Sequence, residues 1–268
     1  MPLAGSSETV EAARVSSGDG QIAISAAGLG KRFQIGTKTD ARFFRQALAW
    51  CSGISNTRPL WAVRGIDLQI RRGECVGVIG RNGSGKTTLL RLLSGVLAPT
   101  EGLLRTQGRI STFFAIGAGL FPELRVIDNI RLTAALCGMS RAALRQRFDA
   151  IVAFGELEDY LYSRLGELSS GFTSRVPLAT ALHSDIDILL TDEVFSVGDT
   201  PFQAKCFGKM NALLKQGTTM VMASHSLDII KGTCSRAICL EHGSTVAQGP
   251  AAEVVQYYER QCDGAPAK

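Results

Sequence analysis

The sequence predicts an α/β fold with a mostly parallel central sheet, and three observations carry that prediction. Short apolar runs, several of them apolar on both faces, recur between helical patterns, as strands buried in a parallel sheet with helical crossovers do. A glycine-rich loop stands directly after one such run and directly before an apolar-rich helix. From Leu124 to Leu165 the strand signals stop and helical spacing takes over, which predicts a separate helical lobe.

Residues 1–21 are poor in hydrophobic groups and lack any period, so they read as a disordered tail, with order beginning at Ile22. Strands are expected at 22–26, 66–70, 75–79, 186–191, 218–223 and 237–240. Between the first two lies an insertion, 37–58, in which Phe43, Phe44, Ala47, Leu48 and Cys51 share one helical face while Arg42 and Arg45 lie towards the other. Such an amphipathic helix suits a membrane interface, or the surface of its own domain. Helices are expected at 87–97, 127–136 and 141–154, the last with Leu144, Phe148, Ile151 and Val152 on one side.

The 268 residues suffice for one large domain with a smaller lobe and a sizeable core. Seven cysteines lie scattered without a C-x-x-C pair, as free thiols in a reducing compartment do. The formal charge of +5 comes without a dense Lys/Arg block, so nucleic acid is not expected as a partner. No apolar run approaches the roughly 18 residues of a membrane span, and the N-terminus lacks a basic-then-apolar signal. The chain is therefore expected to be soluble and cytoplasmic.

Gly80-Arg81-Asn82-Gly83-Ser84-Gly85-Lys86-Thr87-Thr88 follows the expected strand 75–79 and fits the phosphate-loop pattern. Gly80, Gly83 and Gly85 let the backbone turn its N–H groups inward, and with Asn82, Ser84 and Thr88 they are candidates to bind the phosphates of ATP at a helix N-terminus. Lys86 adds a point charge for the β and γ phosphates. The Thr87 hydroxyl is a candidate ligand for Mg²⁺, a cation that prefers oxygen donors.

The strand 186–191 runs into Asp192 and Glu193, at the sheet edge where ligands bind in such folds. Asp192 is the second candidate Mg²⁺ ligand, and Glu193 the candidate general base for the attacking water. The strand 218–223 ends in Ser224-His225, and His225 is positioned to reach a γ-phosphate. Either feature alone suits a solvated turn; three strand ends with groups useful to phosphoryl transfer do not.

Before the acidic strand stands Leu168-Ser169-Ser170-Gly171-Phe172, which resembles the L-S-G-G-Q signature of ATP-binding cassette proteins. The order of phosphate loop, helical lobe, signature, acid pair and histidine is similar to that family over 22–258. The resemblance implies a phosphate-loop NTPase fold with an antiparallel β subdomain beside the parallel sheet, a lobe at 124–176, and a short tail at 259–268. It implies that Ser169, Ser170 and Gly171 grip the nucleotide of a partner subunit in a homodimer, and that Asp199, ending Ser196-Val197-Gly198-Asp199, is the acid of the dimer-contacting loop. The family's adenine-stacking aromatic falls near Phe33, with Trp61 as the alternative.

Most cassettes carry a glutamine between the phosphate-loop helix and the lobe, but 113–123 contains none and Gln107 comes too early. Coupling is then expected through backbone and apolar contacts. Pro177 falls in the helix after the signature, where proline suits only the first turn. Gly117 to Leu124 and the stretch from Asp192 to Cys206 look like the ATPases of bacterial exporters of O-antigen, capsule or teichoic acid. That resemblance implies two transmembrane permease subunits as partners, a lipid-linked glycan met indirectly, and a position on the cytoplasmic face of the inner membrane. The alternatives are a soluble cassette acting on ribosomes or DNA, a transporter ATPase with another substrate, and a module that binds ATP without turnover.

Overall fold

The computed structural model describes residues 22–35, 58–112, 119–192 and 199–263. The tail 1–21, the insertion up to residue 57, residues 113–118, and Glu193 with the segment to 198 lie outside the described residues.

The strands are β1 (Ile22–Ile35), β2 (Arg58–Arg71), β3 (Cys75–Ile79), β4 (Glu101–Thr106), β5 (Ile110–Thr112), β6 (Ile188–Asp192), β7 (Thr219–Ala223), β8 (Arg236–Glu241) and β9 (Ser244–Pro250). The α-helices are α1 (Lys86–Leu93), α2 (Val126–Leu136), α3 (Arg141–Gly155), α4 (Ser170–Leu182), α5 (Thr200–Lys215), α6 (Leu227–Thr233) and α7 (Ala251–Asp263). One sheet has the order β2-β1-β4 and is antiparallel throughout. The other has the order β5-β6-β7-β3-β8-β9, parallel except for the β8–β9 hairpin.

β1 and β2 run well past their expected lengths. The apolar alternation that marks them breaks where the pairing register shifts, between Ala26 and Leu29. There Gly28 takes φ +57 and its N–H donates to Asp67 Oδ1 at 2.7 Å, so the strand continues through a bulge that hides its period.

Alternation along the parallel strands divides the core. Val76, Val78, Ile188, Leu190, Val221, Ala223, Ile238 and Leu240 pack on α1 and on the inner face of the antiparallel sheet. Leu89, Leu90, Leu92 and Leu93 of α1 are wholly buried there, each contributing about 1.5–3 kcal/mol of transfer free energy. Ile79, Leu189, Met220, Met222 and Cys239 face the other way, onto α4, α5 and α7. A third cluster joins α2, α3 and α4 into the lobe, and all four residues of the expected α3 face pack into it.

Two expectations need correction. Chain order does not end at 258: α7 continues to Asp263, because Val254, Val255 and Tyr258 pack on the second core face and carry the helix on. Pro177 is not in the first turn but eighth in α4, where it removes the hydrogen bond that position would donate to the preceding turn.

Candidate active site

β3 ends at Ile79 and the chain turns at once through Gly80, φ +149, where a Cβ would stand 2.4 Å from the Leu240 carbonyl. Gly85, φ +106, caps α1 in a position where a Cβ would stand 2.5 Å from the Ala62 carbonyl. No side chain caps this helix, so the N–H groups of its first turn are left for a ligand. Lys86 is buried, and its Nζ donates to Gly80 O at 2.8 Å and Arg81 O at 3.3 Å, holding the charge at the centre of the loop. Ser84 Oγ is buried without a hydrogen-bond partner among the described residues.

The loop is braced from a side that sequence reasoning missed. Gly243, in the turn between β8 and β9, donates its N–H to Ser84 O at 3.0 Å and accepts from Arg64 N at 2.8 Å. Its neighbour His242, at φ +46, lines the cavity at the loop. The available signal was Glu241-His242-Gly243 itself, where glycine is required because a Cβ would stand 2.8 Å from Ala62 O.

The order β6-β7-β3 puts the expected strand ends side by side. Ala223, last in β7, lies opposite Asp192 of β6 on one flank and Val78 of β3 on the other. With strands about 4.8 Å apart, Asp192, Ser224-His225 and the start of the phosphate loop share one edge within about 10 Å. Asp192 alternates with Ile188 and Leu190, so it is half-buried on the face that packs against α1. Thr87 is exposed in the cavity at the loop. A hydroxyl and a carboxylate are the kinds of oxygen donor that a Mg²⁺ ion prefers. His225 is exposed, and Ser224 Oγ accepts from Ser226 N at 3.0 Å, shaping the turn into α6.

The cavity at the loop holds about 380 Å³ and is lined by Leu60, Trp61, Ala62, Asn82 to Thr88, and His242. Phe33 pairs with Leu60 across the β1–β2 ladder and is not among the lining residues, whereas Trp61 is. The two candidate aromatics stand one on each strand of this ladder. The Arg64 and Arg32 guanidinium groups lie 4.8 and 5.4 Å from the Trp61 ring centroid, placing two positive charges beside it.

Ser169 is the N-cap of α4, its Oγ accepting from Phe172 N at 3.4 Å. Ser169 and Ser170 are exposed, Gly171 is partly so, and none of the three lines the cavity at the phosphate loop. Asp199, expected as the acid of the dimer-contacting loop, stands at the start of α5. It caps α5, accepting from Phe202 N at 3.3 Å, and receives both of its ion-pair contacts from Arg175 at 2.9 Å. Arg175 also pairs with Glu156, as does Lys205. The hydrogen bonds from Lys205 and then Arg175 hold the Glu156 carboxyl well below the usual range, at about 2.

Residues 63–196 match the ABC transporter family. The chain is 39% identical over 219 residues to the O-antigen export system ATP-binding protein RfbB of Myxococcus xanthus, covering 81% of this chain and 50% of that protein. It is 39% identical over 199 residues to the teichoic acids export ATP-binding protein TagH of Listeria innocua, covering 74% and 59%. The chain thus spans about half to three-fifths of the length of these relatives. Against the O-antigen export system ATP-binding protein RfbB of Klebsiella pneumoniae it is 34% identical over 203 residues, covering 76% of this chain and 82% of that one. An ATP-binding cassette solved as a dimer in a post-hydrolysis state with ADP and Pi shares the fold, with a TM-score of 0.68 over 85% of this chain and 98% of that one at 22% identity. On the family match and the Klebsiella relative, the chain belongs to the ABC transporter family.

Proposed function

We propose that this chain binds ATP with Mg²⁺ and hydrolyses it as the motor subunit of a membrane exporter. The observation that supports the reading is the shared edge of β6, β7 and β3, at which Asp192, the turn that carries His225 and the start of the phosphate loop follow from neighbouring strands. The first-turn N–H groups of α1 and the charge of Lys86 bind the β and γ phosphates. Trp61 supplies an aromatic wall for the nucleoside. Thr87 and Asp192 would hold Mg²⁺, which supplies neutralising charge on the phosphate oxygens. Glu193, next after Asp192, takes the proton of the attacking water as its oxygen bonds to the γ-phosphorus, and ADP leaves. His225 orients the water or the γ-phosphate.

The exposed signature at Ser169 to Gly171 supports a head-to-tail homodimer, in which it closes on the nucleotide held by the partner's phosphate loop. The relatives named for O-antigen and teichoic acid export support a lipid-linked polysaccharide as cargo, carried by separate permease subunits at the cytoplasmic face of the inner membrane. No helix among the described residues is long and apolar enough to cross a membrane. Replacing Glu193 by Gln is expected to trap an ATP-bound dimer on gel filtration, with turnover reduced on the order of a hundredfold. Normal turnover in that variant excludes Glu193 as the base. Recovery of the full chain from membranes with a multispanning permease tests export, and recovery with ribosomes overturns it.

A further inference from the structure

A second cleft adjoins the phosphate loop, and the proposed ATP chemistry does not use it. It holds about 460 Å³, within the range of small-molecule sites. Its walls come from the loop, from β8 and from α7, whereas Trp61, Lys86 and Thr87 line only the first cavity. Asn82, Gly83, Ser84 and His242 line both, so the loop and the β8–β9 turn form the partition between them. Along α7, Tyr257, Tyr258, Gln261 and Cys262 recur at helical spacing and share the face that lines the cleft. In β9, Ala247 pairs with Cys239 and Thr245 with Leu240, which leaves Val246 as the extra residue of a bulge. Bulges re-aim side chains, and Val246 is exposed in the cleft. Burial foremost, and then the Cys262 thiol, push the Tyr258 phenol above its usual value, while the Arg81 guanidinium is close enough to act the other way.

These groups select a ligand chemistry. The two tyrosines and Val246 offer an apolar wall to a ring. Arg81, with the Asn82 amide next to it in the chain, offers charge-assisted hydrogen bonds to a phosphate, the anion that a planar guanidinium matches best. Glu241 accepts from, and Gln261 accepts from or donates to, hydroxyl or amino groups on the ring. We propose that this cleft is a regulatory site for a phosphate monoester that carries a ring, a nucleoside monophosphate or a sugar phosphate, and that its occupation weakens ATP binding across the loop. The sign follows from charge. A phosphate at Arg81 brings negative charge to the loop that also holds the triphosphate, and like charges at that range repel. By linkage, ATP weakens the monoester by the same factor.

The coupling rests on the ATP site proposed above, whereas binding in the cleft does not. The full chain is titrated calorimetrically with uridine monophosphate, glucose 1-phosphate and inorganic phosphate, each with and without a saturating non-hydrolysable ATP analogue and Mg²⁺. At least one monoester is expected to bind about tenfold more tightly than inorganic phosphate, the scale of one ring stacked on an aromatic wall, and the tighter of the two identifies the source of the ligand. The analogue is expected to weaken it to a limit of about fivefold rather than displace it. Tyr257 does not line the ATP cavity, so Tyr257→Ala is expected to weaken the monoester about tenfold and leave ATPase activity in its absence unchanged. Gln261→Ala, at an exposed position, repeats the test should Tyr257→Ala fail to fold. Trp61→Ala is expected to leave monoester binding unchanged. Monoesters that bind no better than inorganic phosphate overturn the proposal, as does complete displacement by the analogue with no response to Tyr257→Ala. Monoester binding that leaves the affinity for the analogue unchanged overturns the regulatory role. A chain that binds the monoester but no analogue overturns the ATP reading, and with it the coupling but not the cleft site.

Discussion

At Gly80 a single added methyl group would meet the Leu240 carbonyl and Ser84 Oγ together, and the backbone φ of +149 is one that side chains rarely adopt. The phosphate loop is therefore shaped by β8 as much as by its own letters. The same scale separates the two aromatic candidates for the base. Trp61→Ala is expected to weaken ATP binding about tenfold, the scale of one lost base–aromatic stack, and Phe33→Ala less than about twofold. Titration of both variants with a fluorescent ATP analogue measures this, and the reverse ranking would return the platform to Phe33.

The lobe shows how one side chain can order a whole connection. Asn129, fully buried on α2, accepts from Phe121 N at 2.8 Å and donates to Phe121 O, Leu124 O and Arg125 O. It fixes the end of the segment in which the expected glutamine is missing. Asn129→Ala leaves the Phe121 N–H without its side-chain acceptor and removes one donor from each of the three carbonyls, and is expected to cost about 1–3 kcal/mol of stability, read as a lower urea midpoint. A change under about 0.5 kcal/mol would show that water replaces the amide. At this scale β3 was legible to the residue, because Cys75 to Ile79 is apolar on both faces and bounded by Glu74 and Gly80. β4 and β9 were not legible. β4 is exposed along nearly its whole length and β9 alternates between exposed and half-buried, so backbone pairing rather than apolar pattern holds them.

Across the whole molecule, carboxylates paired with arginine or lysine couple stability to acid. Glu156, Asp128, Asp185 and Asp187 all titrate below their usual values, chiefly because guanidinium, ammonium or backbone donors bond the charged form. A depressed carboxyl stabilises the fold above its unfolded pKa and loses that contribution as pH falls towards its folded one. For Glu156 the window runs from 4.5 down to about 2. There the unfolded chain binds more protons, so stability falls with falling pH. Exposure of these pairs keeps the individual effects modest. The urea midpoint is expected to drop between about pH 5 and pH 3, with a shallower drop in Glu156→Gln. An equal slope in that variant would remove Glu156 from the effect.

Contiguity explains what each level of description could supply. The phosphate loop, the acid pair, the signature and the strands before them are local strings whose residue types follow from a chemical demand, so the sequence alone determined the fold class and pointed to the nucleotide chemistry proposed above. The β6-β7-β3 order, the pairing that puts Trp61 rather than Phe33 at the cavity, and the contacts of Arg175 with Glu156 and Asp199, 19 and 24 residues away, arise only when distant segments pack. Tertiary structure decided these because strand register and the pairing of a buried charge depend on neighbours that sequence spacing does not name.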